Sequence, residues 1–324
     1  MEFKLIGHQR IWNFLTQSAQ RGRLAHAYLF VGPPEIGKKT LALELAKWLL
    51  CQNTKKSAAC GQCRSCVEIQ KNRHPDVFIL QPRQEEKREV IKTFEIGIDE
   101  VEVLRHRISL SPYNSVYKIA IIDGAEWLTR EAANSFLKTL EEPSGRSLII
   151  LVSSAWQSLL PTIVSRCQLI KFLPVAEEEI LEKLKNEARN EKELNRAVKL
   201  SAGRPGRAIK IIQDKEWLNN QKINIENFIK ILKADLAVRW ELAGQLSKNT
   251  AAAKEILSQW VLWLRDRIFE GGACDDLMTG EKEKTNYSQK NLLNLIKEIQ
   301  KTQVILDNPS FNAKLALEIL MMKI

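Results

Sequence analysis

The chain of 324 residues is too long for one compact core and long enough for two or three domains. Its 44% hydrophobic and 27% charged residues are typical of a soluble globular protein, and no apolar run approaches the ~18 residues of a membrane-spanning helix. The net charge of +10 favours work near a polyanion such as DNA, although a lysine-rich surface alone would give the same excess. The mixed polar and apolar N-terminus resembles neither a signal nor a transit peptide, so we expect a cytoplasmic protein with no membrane contact.

Strands and helices are predicted to alternate from the N-terminus to about residue 172. The first strand is the apolar run AYLFVG (27–32), and the helix KKTLALELAKWLL (38–50) follows it. Further strands are predicted at 76–82, at 118–123, at 146–154 and within 162–172, and further helices at 8–20, 98–110 and 130–143. The charged residues at 83–97 predict an irregular surface segment. The alternation predicts an α/β domain with a doubly wound parallel sheet.

The β signals vanish in the second half of the chain. Helices are predicted at 177–189 and 193–213, and the remainder is helix-rich apart from a polar loop at 271–289. We therefore predict an α/β domain, a small helical domain and a larger all-α domain, with boundaries at 1–174, 175–214 and 215–324.

The segment GPPEIGKKT between the first strand and its helix contains most of a phosphate-binding loop, Gly32-x4-Gly37-Lys38. In such a loop the backbone amides cradle the phosphates, the lysine reaches the β/γ oxygens, and the next Ser or Thr binds Mg²⁺. Here the next residue is Lys39, and Thr40 comes one place late. The strand–loop–helix setting favours a phosphate site over a chance glycine-rich turn, but its metal ligand is misplaced.

A second nucleotide-site residue is predicted at the end of the third strand. Four apolar residues followed by Asp123 fit a Walker-B strand, whose carboxylate holds Mg²⁺, although Asp123 could equally cap the segment that follows. Gly124 comes next, and Glu126 lies past the strand end, where we expect it to point elsewhere. Without a water-positioning carboxylate, hydrolysis should be slower by roughly 10²–10⁴-fold.

Four of the six cysteines have the spacing C-x8-C-x2-C-x2-C, and they are Cys51, Cys60, Cys63 and Cys66. Four thiolates so close in sequence can close a tetrahedral shell, which predicts a structural zinc module at 51–66 with no open coordination position. The alternatives are an iron–sulfur cluster, although the usual downstream Cys-Pro is missing, and thiols that bind no metal.

Arg166 lies in the sequence SRC, just before the last predicted strand. A lone arginine at a domain edge is usually an ordinary surface residue. It gains a function only if another subunit docks there, because an arginine supplied in trans can stabilise the charge of a neighbour's γ-phosphate.

In an ordered set of motifs the chain resembles the delta-prime subunits of the bacterial DNA polymerase III clamp loader. These motifs are HAYLFVGPPEIGKKT, the cysteine module, HPDVFIL, IAIIDGAEWL, AANSFLKTLEEP, TIVSRCQLIKF and LSAGRPGRAI. They cover residues 26–209, and the helical remainder fits the family only in length and character.

The resemblance implies an AAA+ P-loop domain with a zinc module, a helical lid domain and an all-α collar domain that forms oligomers. In this family the subunit assembles with delta and gamma/tau subunits into a ring, which uses ATP to load a sliding clamp onto primed DNA. The arginine of the SRC motif completes the ATP site of the adjacent gamma/tau subunit, and in this chain that arginine is Arg166.

Three positions depart from the active members of the family. Lys39 replaces the hydroxyl, Gly124 replaces an acidic residue, and Gly206 stands where a phosphate-sensing arginine is often found. Arg207 follows, but one residue further along a helix turns a side chain about 100° away. These departures predict a subunit that does not hydrolyse ATP efficiently, while the retained Gly37-Lys38 still allows ATP or ADP to bind. It would be no enzyme alone, but part of the DNA polymerase III holoenzyme, a DNA-directed DNA polymerase and nucleotidyltransferase.

Two other functions compete with this interpretation. One is an active ATPase resembling gamma/tau, in which Thr40 would rescue the metal site; Lys39 and Gly124 argue against it. The other is an unrelated DNA-binding zinc protein, which lacks support because no patch interleaves aromatic and basic residues.

Overall fold

The computed structural model describes residues 5–53, 58–85, 93–113, 116–143, 145–269, 288–306 and 311–324. They form two compact units. The first consists of the described residues within Met1–Glu86, Thr93–Asn186 and Gly203–Ala208. The second consists of those within Glu187–Ala202 and Ile209–Ile324. The division into three domains at residues 174 and 214 stays a prediction.

A five-stranded sheet forms the centre of the first unit. Its strands are β1 (Ala27–Val31), β2 (Val77–Leu80), β5 (Lys118–Asp123), β6 (Ser147–Ser153) and β7 (Gln168–Lys171). The strand order is β2-β5-β6-β1-β7, and every neighbouring pair is parallel. Every residue of β1 and β6 is buried, as expected for apolar strands covered on both faces. The predicted parallel α/β sheet is confirmed.

Helices cover both faces of this sheet. They are α1 (Gln9–Gln20), α2 (Lys38–Leu50), α3 (Arg64–Gln70), α4 (Ile98–Ser109), α5 (Arg130–Glu141) and α6 (Pro161–Val164), and α7 (Glu177–Leu184) follows the last strand. Alternate residues of a strand point to opposite faces, so Tyr28 and Phe30 pack in one core with α1 and α2. Leu29 packs in the other core, with α4 and α5.

Residues 83–97 are more regular than the sequence predicts. The short strands β3 (Arg83–Glu85) and β4 (Thr93–Glu95) pair in an antiparallel two-stranded sheet. The expectation of an irregular segment was wrong for these residues. The two strands are paired through backbone N–H and C=O groups, and such pairing does not require the apolar side chains by which a strand is recognised in a sequence.

All regular secondary structure in the described residues of the second unit is helical. Its helices are α8 (Glu191–Ser201), α10 (Lys215–Lys233), α11 (Leu236–Ser247), α12 (Thr250–Phe269), α13 (Gln289–Leu306) and α14 (Ala313–Lys323), and α9 (Pro205–Gln213) contributes the residues from Ile209 onward. Aromatic side chains form part of its core, with Phe228 stacked on Trp260 at 4.3 Å between ring centroids. The mostly helical second half is confirmed. Most of the loop predicted at 271–289 lies outside the described residues.

No helix in the described part of the chain combines the length and the apolar character that crossing a membrane requires.

Candidate nucleotide-binding and metal sites

The predicted phosphate-binding loop connects β1 to α2 at the carboxyl edge of the sheet. Gly32 and Gly37 have φ angles of 152° and 107°, which favour glycine. A side chain at position 32 would also meet the backbone oxygen of Phe172, since an added Cβ would lie only 2.6 Å away. The backbone conformation therefore requires both glycines of the motif.

Lys38 lies inside this loop. Its ammonium group donates to the carbonyl oxygens of Gly32 and Pro33, each at 2.6 Å, and to Ser154 Oγ at 3.3 Å. Burial lowers the pKa of the Lys38 ammonium group to about 8, against the opposing effect of the Glu126 and Asp123 charges. The side chain is held where a phosphate oxygen could take the place of a carbonyl acceptor.

Lys39 does not lie free on the surface of α2. Its ammonium group forms an ion pair with Asp123 Oδ2 at 3.1 Å, and Gln81 Nε2 donates to the same oxygen at 2.9 Å. Thr40 is exposed. A Mg²⁺ ion in such a site is bound between the oxygen of a loop hydroxyl and that of the aspartate. Here the Lys39 ammonium group faces the Asp123 carboxylate in place of a hydroxyl, so the residues present do not fit this ion.

Glu126 and Ser154 were both missed by the sequence analysis as residues of this site. Glu126 lies in a 3-10 turn at Ala125–Trp127, and its Oε1 accepts a hydrogen bond from the Ser154 backbone N–H at 3.0 Å. Because the Ser154 hydroxyl accepts from Lys38, the Glu126 carboxylate lies beside the loop, and the expectation that it points elsewhere was wrong. Ser154 is the first residue after buried β6, which places it at the carboxyl edge, where ligands bind in such sheets.

The N-terminus of α9 packs directly against the loop. The Gly206 backbone N–H donates to the carbonyl oxygen of Glu35 at 2.9 Å. An added Cβ at position 206 would lie 2.7 Å from the same oxygen. Position 206 is therefore a close backbone contact that admits no side chain.

Replacing Gly206 by alanine is expected to lower the free energy of unfolding by about 1–3 kcal/mol, because the methyl group would push the helix off the loop. Gly244→Ala is the matched control: this helical glycine of α11 has nothing within 4 Å of an added Cβ. Alanine there should stabilise by roughly 0.5–1 kcal/mol. Urea unfolding of both variants measures the difference, and equal effects would show that the contact at position 206 is not tight.

The four clustered cysteines converge. Cys51 directly follows α2, Cys60 and Cys63 precede α3, and Cys66 lies in its first turn. Their sulfur atoms all lie within 4.8 Å of one another. Two of the separations, Cys51–Cys63 and Cys60–Cys66, are 4.0 Å. A tetrahedron with Zn–S bonds of about 2.3 Å has edges of about 3.8 Å, so the four residues fit a zinc ion.

Backbone groups favour the thiolate form in this cluster. The Cys60 N–H donates to Cys51 Sγ and the Cys63 N–H to Cys60 Sγ, both at 3.3 Å. Hydrogen bonds from the backbone of Gln62 and Cys63 lower the pKa of Cys60 to about 6. Burial raises the pKa of Cys66, which a bound cation would oppose. Zinc bound here would have four protein ligands and a structural role.

Arg166 lies in the turn that follows α6. Its guanidinium group donates to the Thr162 carbonyl oxygen at 3.0 Å and forms an ion pair with Glu141 of α5 at 2.5 Å. About a third of the side chain is exposed. These contacts hold the guanidinium group at the surface of the first unit.

Comparison with known proteins places these residues in a family. The model of the family described as "DNA polymerase III, delta subunit" matches residues 7–176, more than half of the chain and the segment that holds the loop, Asp123, the cysteines and Arg166. The chain belongs to this family. The resemblance to delta-prime clamp-loader proteins that the motifs indicated is confirmed.

Three relatives illustrate the similarity. DNA polymerase III subunit delta-prime of Pseudomonas aeruginosa is 40% identical over 49% of this chain and 45% of its own length. The delta-prime subunit of Bacillus subtilis is 35% identical over 54% of this chain and 50% of its own length. Subunit gamma of Buchnera aphidicola is 31% identical over 70% of this chain and 62% of its own length. The chain thus spans about half the length of the delta-prime relatives it matches.

Proposed function

We propose that this chain acts as the delta-prime subunit of a bacterial DNA polymerase III clamp loader in the cytoplasm. It assembles with delta and gamma/tau subunits, supplies Arg166 to the ATP site of a neighbour, and helps to load the sliding clamp onto primed DNA. Its own site binds ATP or ADP without efficient hydrolysis. The family match over residues 7–176 supports the membership. The other parts of the proposal rest on the geometry of the phosphate-binding loop and of Arg166.

The ion pair between Lys39 and Asp123 is the observation that supports a non-hydrolysing site. In phosphoryl transfer a metal ion held by the loop hydroxyl and the Walker-B aspartate neutralises the developing charge. Here the carboxylate is already paired with an ammonium group at 3.1 Å, and Gly124 supplies no acidic side chain after it. Thr40, which would have to rescue the metal site, is exposed. Turnover at this loop should therefore be slow.

The surface position of Arg166 supports its role in trans. A guanidinium group that is partly exposed and held by one carbonyl and one carboxylate can exchange that carboxylate for a phosphate of a docked neighbour. Arginine suits this role because its planar fork binds phosphate oxygens in pairs and stays charged at any working pH.

The three proposed domains have separate tasks. Residues 1–174 form the AAA+ domain with its zinc module, 175–214 the lid, and 215–324 the collar through which the subunits join. Cys51, Cys60, Cys63 and Cys66 hold a structural zinc ion.

A single-turnover ATP assay on the isolated chain tests the non-hydrolysing assignment. We expect no metal-dependent phosphate release above that of a Lys38→Ala variant. The residue after Lys38 carries no hydroxyl to bind a metal ion, and the residue after Asp123 carries no carboxylate to position water. Glu126 is the structural observation that favours an active ATPase resembling gamma/tau. Its carboxylate accepts a hydrogen bond from the Ser154 backbone, and its charge raises the pKa of Lys38. Turnover that is lost in both Lys38→Ala and Glu126→Gln would favour the motor and contradict the proposal.

A further inference from the structure

We propose that the ammonium group of Lys39 takes the place of a divalent cation in this site, so that the loop binds the phosphates of a nucleoside diphosphate without Mg²⁺. The inference rests on the proposed function, in which the site binds a nucleotide without turning it over. It concerns only what neutralises the phosphates once they are bound.

The position of Lys39 in the fold supports this proposal. Lys39 is the second residue of α2, where loops of this kind place the metal-binding hydroxyl, and Asp123 ends β5, where they place the second metal-holding group. The Lys39 ammonium group lies 3.1 Å from Asp123 Oδ2. A positive charge therefore already occupies the space between the helix and the carboxylate that a metal ion occupies in active sites.

The hydrogen-bond partners of the Asp123 carboxylate also support it. Asp123 Oδ2 accepts from both Lys39 and Gln81, at 3.1 and 2.9 Å. A magnesium ion demands near-ideal octahedral geometry with oxygens at about 2.0–2.1 Å, and it would have to displace both donors. The ammonium group makes no such geometric demand, because it is a compact charge on a flexible stem.

The charges around the loop are balanced without a metal ion. Lys38 and Lys39 bring two positive charges to the start of α2, where the helix dipole and the loop amides already favour an anion. Asp123 and Glu126 bring two negative charges close to these lysines. The two lysines can thus meet a diphosphate directly while the carboxylates orient them. A loop that had lost its function could keep any residue at position 39, whereas this one holds a cation against the carboxylate.

The inference is tested by the binding of ADP to the full-length chain, measured by calorimetry in excess EDTA and again with Mg²⁺. Wild-type affinity should agree within about twofold between the two conditions. In Lys39→Thr, affinity in EDTA should fall by about tenfold, and Mg²⁺ should restore it, because a hydroxyl and Asp123 again face each other. In Lys39→Met, affinity should fall in both conditions with no response to Mg²⁺.

Lys47→Met is the matched control. This lysine also lies on α2 and pairs with Glu44 at 2.9 Å, but near the far end of the helix, so its loss should leave ADP affinity unchanged in both conditions. An unchanged urea unfolding midpoint in every variant shows that the chain still folds.

Three results would overturn the inference: ADP binding by the wild type that needs Mg²⁺, no ADP binding in either condition, or equal affinities in Lys39→Met and the wild type. None of them decides the role of Arg166, which is measured on the assembled ring. Conversely, a ring that ignores the loss of Arg166 would refute the proposed role of this arginine in trans and leave the ADP measurements standing.

Discussion

Replacing Arg166 by alanine is expected to lower ATP turnover at the adjacent site of a reconstituted clamp-loader ring by about 10³-fold or more, since arginines supplied in trans are worth 10³–10⁵ in kcat in GTPases. Fold and assembly should be unaffected. The side chain is about one third exposed, and the exposed ion pair with Glu141 contributes at most about 1 kcal/mol. ATP hydrolysis by the ring and size-exclusion chromatography of the complex measure the two effects.

Two further variants separate the guanidinium group from its surroundings. Glu141→Gln removes the ion-pair partner but leaves the arginine, so the ring should keep its turnover. Arg166→Lys keeps the charge but loses the planar fork, so most of the turnover should be lost. If all three variants hydrolyse ATP at the wild-type rate, Arg166 has no role in trans.

The elements that the sequence predicts well are those with local signals. The apolar runs that became β1, β5 and β6 are buried along almost their whole length, and the period of the helices that cover them was equally clear. The cysteine spacing predicted a cluster, and the four sulfur atoms do converge. In each case the pattern lies within one short segment, where propensity and burial act together.

The features that the sequence could not predict depend on distant segments meeting. The order of the strands puts β6 between β1 and β5, which no single segment encodes. That order brings the residue after β6, Ser154, next to Lys38, and so brings Glu126 to the loop. The sequence marked Lys39 only as a missing hydroxyl. Its ion pair with Asp123 is visible only in the folded chain. The pair shows that Lys39, besides lacking the hydroxyl, holds a positive charge against the Asp123 carboxylate.

Purified without chelators, the chain is expected to carry one zinc ion, and a single Cys60→Ser exchange should abolish it. The four sulfur atoms fit a tetrahedral shell that a hydroxyl cannot complete with comparable affinity. Structural zinc in zinc-finger peptides contributes roughly 10–16 kcal/mol of apparent binding free energy, so its loss should unfold the module. Metal analysis gives the stoichiometry, and hydrogen exchange over α3 reports the loss of order.

Cys167→Ser is the control for this exchange. Cys167 is a partly buried free thiol outside the cluster, so its replacement should leave the zinc content at one per chain. The bound metal should be released on acidification, since protons compete with zinc for the thiolates, and hydrogen bonds to Cys60 delay that release by lowering its pKa. Iron in place of zinc, or equal metal contents in the Cys60→Ser and wild-type chains, would contradict a structural zinc ion held by these four residues.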